Sequence, residues 1–261
     1  MFRSLATAAS GMEAQQTKLD VTANNIANVS TNGFKKGRAE FADLMYQQIR
    51  PAGAPTGTGT AAPTGTEVGL GTRLVGTSRQ LTQGELHQTG NQLDVAIEGH
   101  GFLQVTMPDG TTAYTRNGSL QLNAEGKLVT SDGYALGGDI TVPPDAQSVT
   151  IAANGQVSAT IASETQPVEL GQIQLASFAN PGGLSAQGNT LFRETSASGT
   201  AVLGQPGTGG AGSLRQGMLE ISNVNVVEEM IDLIAGQRAY EVNSRVVKAA
   251  DEMLADTAQL R

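Results

Sequence analysis

The stretch Ser222–Arg261 constrains this chain more than any other. It contains no proline, and its apolar residues recur every three or four positions. Asn225 is placed to cap a helix, with Glu228 three residues later as the partner of a capping box. Glu228, Glu229 and Asp232 fall in the first turns, where the positive end of the helix dipole favours acids. A helix from here to Leu260 is roughly 50 Å long at about 1.5 Å per residue. Val227, Ile231 and Ile234 form one apolar stripe. Ala235, Ala239, Val242, Val246, Ala249, Met253 and Leu260 form a second, with Tyr240, Val247 and Leu254 beside it. Such 4-3 spacing marks a coiled-coil seam, and a second apolar face needs a second partner. The commoner use of this periodicity is a core helix lying on a sheet. Length and position at the chain end favour the partnered helix.

The opposite end repeats the pattern. Leu5, Ala9, Met12, Gln16, Leu19, Ala23, Ile26 and Ser30 alternate strictly by four and three. The simplest arrangement pairs the two ends antiparallel as one elongated helical layer. Seams this narrow bury little surface, so both helices are expected to fray in the isolated chain.

Between them the pattern changes. Phe102–Thr106 leads into Pro108-Asp109-Gly110, then Ala113–Arg116 into Asn117-Gly118. Leu120–Leu122 is followed by Asn123–Gly126, and Lys127–Thr130 by Ser131-Asp132-Gly133. Val149–Ile151, Asn154-Gly155, Val157–Thr160 and Val168–Phe178 continue the series. These are hairpin signals at close spacing. The expected fold class is α+β, with terminal helices paired as a coiled-coil-like layer and an antiparallel β domain inserted between them. The expected division is a discontinuous helical domain, 1–45 and 222–261, a β domain, 85–204, and extended connections at 46–84 and 205–221. Residues 51–66 contain only Pro, Ala, Gly and Thr, with no charge and no large apolar residue, and they predict an extended or disordered linker.

Composition narrows the function. A net charge of −8 offers no basic patch to neutralise phosphates, which argues against nucleic acid. The absence of cysteine removes disulfides, thiolate nucleophiles and Cys-ligated metals together. No apolar run approaches the roughly 20 residues of a membrane span. The N-terminus has only a weak apolar stretch, interrupted by Gly11 and Glu13, and is expected to be mature helix rather than a cleaved signal peptide.

Two blocks of sequence carry a family resemblance. Asn24-Asn25-Ile26-Ala27-Asn28-Val29-Ser30-Thr31-Asn32-Gly33-Phe34-Lys35-Lys36 resembles the N-terminal signature of the bacterial flagellar axial proteins, the family of rod and hook subunits. Gly217-Met218-Leu219-Glu220-Ile221-Ser222-Asn223-Val224-Asn225, with Gln237-Arg238-Ala239-Tyr240-Glu241-Val242-Asn243, resembles that family's C-terminal signature. The run from Leu93 to Tyr134 resembles its central region. The length of the chain and its 51–66 stretch are most similar to the distal-rod branch, where the resemblance implies that this stretch packs between neighbouring subunits and stiffens the tube.

The resemblance implies a structural subunit that polymerises with copies of itself into a rigid tube. It also implies contact with other axial proteins of the proximal rod and hook, with outer ring proteins and with the export apparatus. The implied location is the basal body, from periplasm to outer membrane. The assembly surface expected from the two seams comprises Leu5, Ala9, Met12, Leu19, Ala23, Ile26, Ile231, Ile234, Ala239, Val242, Val246, Ala249 and Met253. A proximal-rod or hook subunit, or a secreted oligomeric β binding module, is the alternative reading.

Catalysis has little support. His87 and His100 lie on separate stretches with no metal-ligand spacing, and no phosphate loop or nucleophile elbow is present. Asp94 and Glu98, on one strand, would sit about 13 Å apart at about 3.3 Å per residue. Glycosidase carboxylates need about 5–9.5 Å. Neither a cofactor, a metal nor a small-molecule substrate is expected.

Overall fold

The computed structural model describes residues 2–57, 60–162 and 166–259. These form two compact units. One comprises the two chain ends together with residues 37–78, and the other comprises residues 27–36 and 79–224.

The first unit holds two long helices, α1 (Phe2–Ala27) and α2 (Val226–Gln259). Leu260, the last member of the sequence stripe, lies outside the described residues. Asn225 caps α2 as expected: its side-chain oxygen accepts the Val227 N–H at 3.0 Å, and its carbonyl accepts the Glu229 N–H. The capping box does not close. Glu228 is exposed and makes no return bond among the described residues, while Glu229 turns inward instead.

The helices pair antiparallel. Asn25 of α1 meets Glu229 of α2, Lys18 meets Asp232, and Gly11 lies against Asn243. Two glycines set the approach. A Cβ on Gly11 would come within 3.0 Å of the Asn243 amide, and one on Gly236 within 3.0 Å of the Leu19 side chain. The buried or half-buried line on α1 is Ala8, Gly11, Gln15, Lys18, Thr22 and Asn25; on α2 it is Glu229, Gly236, Asn243, Val247 and Ala250. Each line is displaced by one residue from the apolar stripe read in the sequence. Small and polar groups fill the seam because only they allow the backbones so close. The larger apolar residues of α2 are left outside.

Residues 37–79 form a long β-hairpin in place of an extended connection. Gly37–Asp43 pairs with Thr72–Arg79, Tyr46–Arg50 with Thr66–Gly69, and Pro55–Gly57 with Thr60–Ala61 at the tip. The 51–66 stretch is therefore hairpin where it is described. Ala62 is buried there, and the Gly53 N–H bonds to its carbonyl. The root of the hairpin rests on α1. Asn25 both accepts the Gly37 N–H at 2.8 Å and donates to the Gly37 carbonyl at 2.9 Å, as a neighbouring strand would. Further along, the Thr72 N–H donates to Ser10 Oγ.

The second unit is antiparallel β. Its largest sheet runs Leu120–Leu122, Leu128–Thr130, Ala135–Leu136, Phe102–Thr106, Thr112–Thr115, Leu191–Arg193, Ser185–Gly188, and Leu175–Ser177 branches from Phe102–Thr106 to Val202–Gly204. A separate three-stranded sheet orders Ala146–Ile151, Gln156–Ile161 and Val168–Gln172. Between them lies a core that includes Val95, Ile97, Leu103, Val105, Leu128, Val157, Ile173, Leu175 and Leu214. A smaller aromatic cluster sets Phe102 edge-on to Phe178 and Phe192. The strands Ser213–Gln216 and Met218–Glu220 pair with Val95–Glu98 and Leu86–Gln88, so the segment expected to connect the domains belongs to this unit.

Four of the five turn signals join paired strands. Asn117-Gly118 does not. The strands either side of it do not pair with each other, and the Gly118 carbonyl accepts the Val95 N–H. A Cβ on Gly118 would fall 1.6 Å from the Val95 carbonyl oxygen, so glycine serves close packing here.

Asn25→Leu keeps the volume and removes three hydrogen bonds, leaving both Gly37 backbone groups without the amide. At about 1–3 kcal/mol for each buried group so orphaned, the first unit should lose at least 2 kcal/mol. Urea unfolding followed by helical circular dichroism measures this. The unit-two amide exchange pattern should stay unchanged.

Candidate assembly interface and its buried anchor

The two signature blocks converge on one carboxylate. Glu220, on the strand Met218–Glu220, accepts hydrogen bonds from Lys35 Nζ, from Arg116 Nε at 2.8 Å and from the Gly84 N–H at 2.8 Å. All three ionic side chains are buried; Lys35 and Glu220 have 0% side-chain exposure. Their remaining polar atoms bond to backbone. Lys35 Nζ donates to the Thr82 carbonyl, and the Arg116 guanidinium donates to the carbonyls of Gly101, Ile97 and Gly99. Burial holds the Lys35 amine below its ordinary pKa, and the nearby Arg116 charge pushes the same way. The Glu220 bond and charge oppose both.

Backbone pairing surrounds this anchor. The Gly33 N–H donates to the Glu220 carbonyl, and the Lys36 N–H to the Asn223 side chain at 2.8 Å. Asn223 in turn donates to the carbonyls of Gln80 and Thr82. Gly33 has φ +71°, and a Cβ there would sit 2.7 Å from the Asn117 nitrogen. Phe34 and Phe192 flank the Arg79 guanidinium at 6.0 and 5.7 Å. Arg79 also donates to the Lys35 carbonyl.

The signature residues thus divide by environment. Asn25, Gly33, Ser222 and Val224 are buried, and Asn28, Asn32, Phe34 and Asn223 half-buried. The asparagines serve the fold: Asn25 pins the hairpin root, Asn28 accepts the Thr31 hydroxyl, and Asn223 crosslinks two segments. Asn24, Gln237, Arg238 and Tyr240 are exposed, and Arg238 pairs only loosely with Glu241 at 3.5 Å.

The expected assembly residues divide similarly. Leu5, Met12, Leu19, Ile26 and Ala239 are half-buried along the seam flank. Ala9, Ala23 and Ala249 are exposed. So are Ile231 at 62%, Ile234 at 55%, Val242 at 58%, Val246 and Met253. Val227 and Met230 extend the same outward surface, as do Met45, Tyr46 and Ile49 on the hairpin. Large apolar side chains standing open in such runs mark surfaces that another molecule covers.

The carboxylates considered for catalysis do not form a site. Asp94 is buried and accepts bonds from Thr89 and Asn91. Glu98 is exposed and paired with Arg215, which holds its carboxyl below the usual range. His87 lies on the strand Leu86–Gln88, whereas His100 lies in a turn; both are exposed. The Lys35–Arg116–Glu220 anchor was missed in the sequence. The only signal was an isolated charge in an uncharged segment, as for Glu220 between Leu219 and Ile221 and Arg116 between Thr115 and Asn117; Lys35, beside Lys36 and close to Arg38, gave none.

Comparison with known proteins agrees with this geometry end to end. Residues 5–35 match the flagella basal body rod protein family. Residues 96–159 match the D1 domain of the flagellar hook protein FlgE/F/G, and residues 215–260 the C-terminal region of the flagellar basal body rod FlgEFG proteins. The flagellar basal-body rod protein FlgG of Borreliella burgdorferi is 50% identical over 256 residues, 97% of each chain. The chain belongs to the FlgG family of flagellar basal-body rod proteins. FlgG of Buchnera aphidicola subsp. Schizaphis graminum is 47% identical over 260 residues, and FlgG of Bacillus subtilis 41% over 266, each covering 100% of both chains. The Bacillus subtilis flagellar hook-basal body complex protein FlhP is similar at 31% over 269 residues.

Glu220→Gln leaves two buried cations facing a neutral amide, so the second unit should lose about 3–5 kcal/mol. Lys35→Met leaves the Arg116–Glu220 pair intact and should cost distinctly less. Denaturant midpoints of the two variants, read by tyrosine fluorescence, check the order.

Proposed function

We propose that this chain is a structural subunit of the flagellar rod, in its distal part, and that it works by polymerising. The observation that carries the reading is the outward stripe of α2. Ile231, Ile234, Val242, Val246, Ala249 and Met253 stand on faces that the α1–α2 seam leaves uncovered. Burying such residues returns roughly 25 cal/mol per Å² of apolar area, and a monomer forgoes that gain. A contact between unlike surfaces of identical subunits does not close a dimer; it propagates as a helix. Repeated around an axis, it produces a tube with a central export channel. A tube stiff in torsion transmits motor torque through the periplasm and outer membrane to the hook.

Coupling of order to assembly follows from the same surfaces. The seam of Gly11, Gly236 and Asn243 is close but narrow, so full helix stability depends on neighbours covering the outer stripes. The exposed hairpin, with Met45, Tyr46 and Ile49, is a second surface of this kind, and its 51–66 tip is proposed to stiffen the tube. Other axial proteins, of the proximal rod and the hook, would meet the ends of the polymer. Ring proteins would surround it, and the export apparatus would deliver the chain without cleaving a signal peptide. Nothing in the arrangement calls for a cofactor or substrate.

Ala249→Glu or Ala239→Glu should abolish tube formation, seen by electron microscopy, while amide exchange in the second unit stays as in the parent. Normal tubes from both variants would overturn the role of the stripe. Deleting residues 51–66 should leave tubes that curve. Tubes that remain straight would remove the tip from the stiffness argument.

A further inference from the structure

We propose that Gln216, with Gln92, is a surrogate strand that closes the sheet edge Ala146–Ile151 against strand addition by another copy of this chain. The strand lies at one edge of its three-stranded sheet. Its sequence, Ala-Gln-Ser-Val-Thr-Ile, contains no charge and no proline and is rich in β-forming residues. An edge of that composition pairs readily with other strands unless something blocks it.

Two side chains occupy the positions where a neighbouring strand would bond. Gln216 Nε2 donates to the Val149 carbonyl at 2.7 Å, and Gln216 Oε1 accepts the Ile151 N–H at 3.1 Å. One side-chain amide therefore reproduces both halves of a peptide group. Gln92 Oε1 accepts the Val149 N–H at 3.4 Å, and its backbone carbonyl accepts a second bond from Gln216 Nε2 at 2.7 Å, which holds the two glutamines together. Past Ile151 the guard changes to main chain, since the Leu214 N–H donates to the Ala153 carbonyl. The edge is thus closed from 149 to 153 by three different residues, none of them on the strand itself. Toward residue 146 it runs into a cleft of about 830 Å³, lined by Leu122, Val142, Pro143, Pro144 and Gln147 among others. Pro143 and Pro144 precede the strand and prevent it from lengthening in that direction.

The device suits a chain that, on the reading above, associates through its helices at high local concentration. Strand exchange through the β unit would compete with that ordered contact. The guard itself is local and does not depend on that reading.

The test uses the full chain and Gln216→Leu, which removes the bonds and leaves an apolar side chain. Hydrogen exchange at the Ile151 amide should speed up by about tenfold, the loss of one buried bond, with Val157 on the central strand unchanged. The variant should also form thioflavin-positive oligomers that the parent does not form. Adding Gln147→Lys to Gln216→Leu should suppress those oligomers, because a charge on the edge blocks pairing. A variant that is merely unstable would not be rescued this way. Unchanged exchange at Ile151, or oligomers that persist in the double variant, would overturn the proposal. Tube formation by the parent chain is a separate readout, so failure of the polymer reading would not register here.

Discussion

A single carboxylate holds the second unit together where its distant segments meet. Glu220 is separated by 185 positions from Lys35 and by 104 from Arg116, yet it bonds to both inside a site without water-facing surface. One acid against two cations leaves the cluster net positive, and the excess is spread over the backbone carbonyls of Thr82, Gly101, Ile97 and Gly99. Such a cluster gains little over an apolar core of equal volume, but loss of the one carboxylate would strand both cations. Its value is in specification: only one register of the strands Leu86–Gln88 and Met218–Glu220 delivers Glu220 to both partners. Both signature blocks thereby acquire a structural meaning as the two sides of one joint.

The first unit follows a different rule. Its helices touch mainly along glycine, alanine, asparagine and lysine, and α2 leaves Ile231, Ile234, Val242, Val246 and Met253 on the outside. In a self-sufficient domain the order would be reversed. The exposed ion pair of Lys18 with Asp232 across the seam contributes at most about 1 kcal/mol. The buried bond from Asn25 to Glu229 matters more, since Asn25 also completes the hairpin root. The apolar surface left open on this unit is of the kind that another molecule covers. The β unit spends its apolar residues inward, on the Val95 to Leu214 core, and guards its open edges instead.

Much of this was legible locally. Helix periodicity marked both terminal helices, Asn225 marked the start of α2, Asp-Gly and Asn-Gly pairs marked three hairpin turns, and Asn123–Gly126 marked a fourth. Three features were not. An apolar stripe at 4-3 spacing does not reveal whether it or the adjacent small-residue line is buried within the chain, because both share one period. Asn117-Gly118 carries a hairpin signature but is shaped by its contact with Val95. Residues 51–66 have the composition of a free linker, yet the flanking strands Tyr46–Arg50 and Thr66–Gly69 pair and draw most of them into a hairpin.

What the sequence by itself determined was the kind of molecule: two terminal helices with spare apolar faces, strands between them and a family signature at each end. These follow from short-range periodicity, turn chemistry and motif order, which one stretch of chain carries unaided. Tertiary structure alone decided which helix face is used within the chain. It also decided that Lys35, Arg116 and Glu220 share one buried site and that Gln216 finishes a strand edge. Each of those depends on a distance between residues far apart in the chain, which only the completed packing fixes.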